Sequence, residues 1–382
     1  MKVIRKNSIT KTLERKSVLL LGPRRTGKSF FIRNQLGEHK YYNLLHADTF
    51  RRLSSRLSLI REELNPEDKL IVIDEIQKLP ELMDEVHAMI EESPNLHFLL
   101  TGSSARKLKR SHTSLMAGRA KQMFFFPFTT AEIENFNLEQ ITNFGTLPPI
   151  WLSDDPYNDL LDYVGLYLKE EIRSEALVRN IENFSHFLEV AAKSNGKILN
   201  YSEIGRDAQV PPRTVKEYFH LLEDTLMGTT LKPIEQQGKR KAVSKSKFYF
   251  FDIGVVNALL ERKSVSLKGP EFGDVFEHFI FLEIKNYIFS NGLRSHLNFW
   301  GIDNKTEVDI IIDKKIAIEV KASKLITEKH CKGLKVFSAT YHPERKIIVS
   351  RDNEYRRIDD IEILPYQLFL KMLWDDEIIT DK

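Results

Sequence analysis

The chain has 382 residues, 42% apolar and 29% charged, with 57 Lys plus Arg against 54 Asp plus Glu and a formal net charge of +3. This suits two or three soluble globular domains. It excludes a uniformly basic nucleic-acid-binding tail, an acidic disordered segment and a collagen-like chain. The single cysteine, Cys331, rules out an internal disulfide or a Cys-rich zinc site, and a lone thiol fits a reducing compartment. No apolar run approaches the roughly 18 residues that cross a bilayer, and the first ten residues lack the apolar core of a signal peptide. The expectation is a cytoplasmic protein without a membrane partner.

Short apolar runs alternate with helical stretches over the first third, at Ser17–Leu21, Leu70–Ile73, His97–Thr101 and Met123–Phe126. This predicts βαβ units around a parallel, buried sheet. The capping-box spacing of Thr129 and Glu132 predicts a helix start. Beyond about residue 140, helices are expected over Tyr157–Glu175 and Ile181–Lys193, then two more around the Val210-Pro211-Pro212 break. A basic stretch follows from Gly238 to Lys247. A strand at Phe248–Phe251, a long helix near Asp274–Phe289 and strand-rich sequence complete the chain. Three domains are expected, at 1–145, 146–245 and 246–382.

Gly22-Pro23-Arg24-Arg25-Thr26-Gly27-Lys28-Ser29 satisfies G-x-x-x-x-G-K-[ST] between a strand and a helix. Such a loop turns its backbone N–H groups toward phosphates at a helix N-terminus. Lys28 is expected at the β- and γ-phosphates and Ser29 on Mg²⁺. An apolar strand then ends in Asp74-Glu75, where Asp74 would hold the Mg²⁺ shell and Glu75 would polarise the attacking water. Ser103, after the strand at His97–Thr101, is a candidate γ-phosphate sensor. Arg106 and Arg119 are candidate arginine fingers, in cis or across a subunit contact.

With GPRRTGKS, the IDEIQKLP segment (Ile73–Pro80), the TGSS strand end and Leu115–Arg119, residues 1 to about 130 resemble an AAA+ ATPase of a widespread prokaryotic family. Members of that family carry a C-terminal domain of unknown function. The resemblance implies ATP hydrolysis, homo-oligomers and, by analogy, a ring.

In the middle segment, Ser202–Gln209 and Arg213–Thr225 have helix-turn-helix proportions. Arg213, Thr214 and Lys216 open the second helix, and Val215, Phe219 and Leu222 give it a buried face. Lys239, Arg240, Lys241, Lys245 and Lys247 would form a basic wing against phosphates. The alternative is a packed helical bundle with a solvated linker. The family resemblance favours a winged-helix-like module.

Near the C-terminus, Glu307-Val-Asp309 and Glu319-Val-Lys321 lie on two apolar runs joined by a short polar turn. A carboxylate followed by Glu-x-Lys on the next strand is the arrangement of PD-(D/E)xK nucleases. Glu319 and Lys321 share one strand face. Asp309 and Glu319 would bind Mg²⁺ or Mn²⁺, helped by the Val320 carbonyl, with Lys321 orienting water or neutralising charge. A three-residue turn, Asp313–Lys315, sets Asp309 opposite Glu319. A two-residue turn points Glu319 away. Glu277, on the long helix, matches the acidic helix position of that nuclease class. Neighbouring His278 is expected to pack on the helix, and Asp303, Asp313 and Glu283 to be solvated.

The expected architecture is therefore an α/β multidomain chain: a P-loop AAA+ parallel-sheet domain, a helical winged-helix-like middle and a C-terminal α/β domain like the restriction endonucleases. The expected function is ATP binding and hydrolysis coupled to DNA engagement, with metal-dependent cleavage at the C-terminus. The alternative is an ATP-dependent switch or assembly factor with an inactive nuclease-like module.

Overall fold

The structure, a computed structural model, describes residues 3–103, 118–168, 180–234, 245–302 and 306–379. The chain forms two compact units. The first comprises Met1–Phe128 with the short segments Asp224–Met227 and Phe289–Gly292. The second comprises Thr129–Glu223, Gly228–Ile288 and Leu293–Lys382. The helical middle segment and the C-terminal region, expected as two domains, thus fall in one compact unit.

The first unit holds five strands, β1 (Ser17–Leu21), β2 (Lys40–Asn43), β3 (Leu70–Asp74), β4 (His97–Gly102) and β5 (Ala120–Phe124), in the order β2-β3-β4-β1-β5. All pairings are parallel. The central strands are continuous apolar runs because both faces are covered. Leu19, Leu21, Ile71, Ile73 and Leu100 enter one buried cluster, and Val18, Leu20, Val72 and Leu99 the other. The edge strand β2, Lys-Tyr-Tyr-Asn, lacks an aliphatic run and was not anticipated.

The expected helix at Thr129–Glu132 is a turn instead. The Thr129 amide does donate to the Glu132 carboxylate (2.9 Å). Thr130, however, is tied through its amide and hydroxyl to buried Glu283. The helix starts at Leu138, where the Asn137 side chain caps the Glu139 and Gln140 amides.

In the second unit, helices Ile181–Lys193, Tyr201–Asp207 and Pro212–Asp224 precede β6 (Gly228–Pro233) and β7 (Lys247–Phe250), which pair antiparallel. Gly205 lets the two short helices meet: a Cβ there would lie 2.6 Å from the Val210 carbonyl oxygen. Helices Ile253–Leu259 and Phe272–Ser290 follow. Then come β8 (Leu297–Ile302), β9 (Thr306–Ile312), β10 (Ile316–Lys321), β11 (Arg345–Ser350), β12 (Arg356–Ile358) and β13 (Ile361–Pro365), with helices Lys332–Tyr341 and Tyr366–Trp374. These strands form one mixed sheet, β12-β13-β11-β10-β9-β8-β6-β7. Its alternating residues separate into two cores. Ile310, Ile312, Ile318 and Val320 pack with the helix Phe272–Ser290, while Ile311 and Ala317 pack with the helix Lys332–Tyr341.

Candidate functional sites

The phosphate-binding loop follows β1 directly. Arg25 (φ 62°) and Gly27 (φ 94°) adopt left-handed backbone, which turns the loop into the helix Lys28–Gln35. Gly22 has no room for a side chain, since a Cβ would stand 2.1 Å from the Phe125 carbonyl oxygen. Thr26 donates to the Pro23 carbonyl (2.9 Å), and buried Lys28 donates to the Gly22 and Pro23 carbonyls (2.6 and 3.0 Å).

Asp74 ends β3 across from this loop. It accepts from Ser29 Oγ at 3.0 Å and from Tyr41 at 2.7 Å, and also from the Thr101 hydroxyl. Ser29 and Asp74, the expected Mg²⁺ holders, are thus in direct contact. Burial, then Asp74, raises the Tyr41 hydroxyl above the ordinary tyrosine range, so it stays a donor. Glu75 sits at φ 64°, its amide donating to Thr101 Oγ1 (3.2 Å). Gln77 donates through one amide nitrogen to both the Glu75 carboxylate and Ser103 Oγ, the latter at 3.1 Å. The expected water-polarising acid and the expected γ-phosphate sensor are therefore joined by a side chain that the motif pattern does not single out.

A second unanticipated group is Arg5. Its guanidinium donates to the Thr26 and Phe126 carbonyls (2.8 and 2.7 Å) and lies 4.0 Å from the Phe125 ring centroid.

Arg119 needs a correction. It pairs with Glu91 and precedes the first residue of β5, which lies parallel to β1 with Ala120 opposite Ser17. The phosphate loop leaves the other end of β1. Five strand residues, about 16 Å, separate the two sheet edges, farther than an arginine side chain extends, so the cis arginine-finger expectation fails. Ser104 and Arg106 lie outside the described residues.

In the second unit, β10 pairs with β9 through Ile316–Ile312, Ala317–Ile311 and Ile318–Ile310. The connection is the three-residue one, Asp313–Lys315, with Asp313 and Lys314 in left-handed backbone. The paired ladder ends at Ile318–Ile310, and Asp309 and Glu319 are the next residues outward on the two strands. Both are buried, 2% and 5% exposed. Asp309 Oδ2 accepts from the Val320 amide (2.8 Å), so Val320 meets it through N–H. Lys321 Nζ lies 2.5 Å from Glu319 Oε1. Glu277 accepts from Tyr249 (2.5 Å) and from Lys247 (3.2 Å), and Lys247 also pairs with Glu307 (3.4 Å).

Burial, and then Glu277, raises the Asp309 carboxyl; burial, and then Asp309, lifts Glu319 well above the usual carboxylate range. Burial opposes the Lys321 charge, but Asp309 and Glu319 outweigh it and hold the ammonium above the ordinary lysine range. The two partners thus point opposite ways, Lys321 toward a charged pair and Glu319 toward a neutral one. Both follow if two carboxyls share one lysine: Lys321 stays charged, and the carboxyl pair keeps a proton unless another cation is bound.

Among the described residues, no group of three or more His, Cys, Asp or Glu gathers to hold a metal. Glu319 Oε2, however, is buried with no hydrogen-bond partner. An orphaned carboxylate oxygen beside Asp309 fits a divalent cation held by these two residues.

The middle segment places Arg213 and Lys216 on the exposed face of the helix Pro212–Asp224, with Thr214 half-buried and Val215, Phe219 and Leu222 buried. Lys239, Arg240 and Lys241 lie outside the described residues, and Lys245 is exposed. Lys247 is not part of a phosphate-facing wing: it is 3% exposed and engaged with two glutamates. His278 packs as expected, between Asn195 and the Phe250 carbonyl. Glu283, expected to be solvated, is buried on Thr130 and Trp374. Asp303 lies outside the described residues.

Residues 14–134 match the family model of an AAA domain, 135–266 a domain of unknown function (DUF8612) and 272–369 another (DUF4143). The chain is 22% identical over 329 residues to an uncharacterized protein of Haemophilus influenzae, covering 80% of this chain and 79% of that one. It is 23% identical over 418 residues to an uncharacterized protein of Methanocaldococcus jannaschii, covering 96% and 90%. Among solved structures it is similar to the replication initiator DnaA bound to AMPPCP and single-stranded DNA, with 13% identity, 58% of this chain, 90% of that chain and a TM-score of 0.28. A second similar structure is AMPPCP-bound DnaA from Aquifex aeolicus, with 12% identity, 58% and 89% coverage and a TM-score of 0.29. The residues matched by the AAA domain model are those that form the parallel sheet and phosphate loop described above. No helix among the described residues is long and apolar enough to cross a membrane.

Proposed function

We propose that this chain binds and hydrolyses ATP in its N-terminal unit and uses that cycle to control DNA engagement by its second unit, whose carboxylate–lysine site cuts phosphodiester bonds. The ATPase reading is carried by the direct contact of Ser29 with Asp74 at 3.0 Å, beside Glu75. Lys28, now on loop carbonyls, exchanges them for phosphate oxygens. Glu75, held by Gln77, takes the proton of the attacking water. Ser29 and Asp74 would hold a Mg²⁺ ion, which would neutralise phosphate charge.

The cutting reading is supported by the Asp309–Glu319 register, the orphaned Glu319 oxygen and Lys321 on the same face. A divalent ion on that pair would polarise the phosphate and lower the pKa of a water. Lys321 would neutralise charge developing on the phosphate. Arg213 and Lys216, exposed on the helix Pro212–Asp224, would contact the DNA backbone. Homo-oligomers would let Arg119, half-buried on Glu91 at the far end of the sheet, serve a neighbouring subunit.

A second reading, an ATP-driven switch with a non-cutting C-terminal module, is favoured by one observation: Glu277 is engaged by Lys247 and Tyr249, leaving, among the described residues, no third ligand on the Asp309–Glu319 pair. Purified protein with linear, circular and branched DNA, Mg²⁺ or Mn²⁺, and with or without ATP decides between them. Lys28→Ala should abolish ATP hydrolysis, and Lys321→Ala should abolish cutting while sparing hydrolysis. Wild type that hydrolyses ATP but cuts no DNA establishes the switch; wild type that does not hydrolyse ATP refutes both readings.

A further inference from the structure

Six charged side chains meet around β7, β9, β10 and the helix Phe272–Ser290. Among the described residues, Glu277, Glu307, Asp309 and Glu319 face Lys247 and Lys321. The formal deficit of two positive charges matches a single divalent ion.

Lys247 is the unusual member. It opens a strand whose four residues are all buried, and its own side chain is 3% exposed. An ammonium is costly to bury without anionic partners. Here its Nζ lies 3.2 Å from Glu277 and 3.4 Å from Glu307, bridging a helix to a strand, with the Phe299 ring centroid at 5.4 Å. Tyr249, two residues along the same strand, takes the same Glu277 oxygen at 2.5 Å. Together they hold Glu277 on β7 while Asp309 and the orphaned Glu319 oxygen remain beside one another.

We propose that Lys247 is a resident cation of this site, occupying with its ammonium the place a second divalent ion would take between Glu277 and Glu307, so that the site accepts one ion on Asp309 and Glu319. This rests on the reading of that pair as a metal site. Lys247→Met removes the charge, keeps the buried stem and frees Glu277 and Glu307 to bind a second ion.

The test is calorimetric titration of the full-length, nucleotide-free protein with Mn²⁺, with fold checked by circular dichroism. Wild type should bind one equivalent that Asp309→Asn loses. Lys247→Met should bind one equivalent more than wild type, and Lys247→Met combined with Glu277→Gln should return to one. Should Lys247→Met fail to fold, Lys247→Gln, which can still hydrogen-bond Glu277, must show the same additional equivalent. A folded uncharged variant with wild-type stoichiometry overturns the role of Lys247 and leaves the metal pair standing. A wild type with no Asp309-dependent equivalent sinks the metal pair and the proposal together.

Discussion

Arg5 precedes every motif, yet it clamps the phosphate loop. Its two amino groups donate to Thr26 O and Phe126 O, one on the loop and one just beyond β5, and its plane covers Phe125. Arg5→Met keeps much of the aliphatic packing and removes these contacts. Charge-assisted hydrogen bonds contribute about 1.5–3 kcal/mol each when buried, and an exposed cation–π contact about 0.5–1 kcal/mol. Arg5 is half-buried, so water replaces part of each contact and the expected loss in local stability is about 2 kcal/mol, below the roughly 3.5–7 kcal/mol of the fully buried sum. Arg5→Lys should recover less than half, because a point charge cannot fork to two carbonyls. Trp151, Trp300 and Trp374 all belong to the second unit, so the unit that holds the loop carries no tryptophan of its own. Amide hydrogen exchange of peptides spanning Gly22–Ser29 is therefore the assay, with titration of a fluorescent ATP analogue beside it. Loop amides should exchange about thirtyfold faster, and nucleotide affinity should fall about threefold to tenfold. Exchange and affinity both within twofold of wild type would refute the clamp.

Three other outcomes test the remaining geometry. Glu75→Gln should bind ATP as wild type does and hydrolyse it at least about a hundredfold more slowly; unchanged turnover would remove Glu75 from the water-activating role. Gly333→Ala places a Cβ 2.2 Å from the Glu307 carbonyl oxygen and 3.5 Å from Glu319 Oε2. Overpacking of this kind costs about 1–3 kcal/mol, readable in urea through Trp300, which shares a core with Leu334 and Phe337; an unaltered midpoint contradicts the helix placement. Burial lifts Glu283 from 4.5 to about 7 against its bonds to Trp374 and Thr130. Because the native carboxyl is the more basic one, its stabilising contribution is complete below about pH 4.5 and is lost as pH rises through 7. The advantage of wild type over Glu283→Gln should therefore shrink by about 3 kcal/mol between pH 4 and 8, and a pH-independent difference would show that this carboxyl is not buried.

The parallel sheet was legible because strands covered on both faces need unbroken apolar runs, as Leu70–Asp74 shows. The edge strand Lys40–Asn43 has a partner strand on one side only and no such run. The three-residue connection Asp313–Lys315 was legible because two apolar runs flank a short polar turn. The expectation of a solvated Lys247 fails because a basic run, Gly238 to Lys247, ends in an apolar strand. Its neighbours Phe248, Tyr249 and Phe250 were the overlooked sign that the strand, and the lysine opening it, turn inward. Arg119 shows what local pattern cannot carry, since its distance from the phosphate loop depends on strand order. Gln77 and Arg5 act through backbone and side-chain contacts that no short motif encodes.

The hairpin of β6 and β7 closes the helical segment, yet β6 also pairs with β8 through Lys232–Asn298 and Pro233–Phe299. A chain cut at residue 245, the boundary suggested by composition, would divide that hairpin and leave β8 with an open edge. Any tension on the helices after Ile181 would travel along a hydrogen-bonded ladder to the strand bearing Lys247 and Tyr249. Helical segment and carboxylate site are thus mechanically continuous, and evolution could not exchange one for a foreign module without rebuilding the sheet.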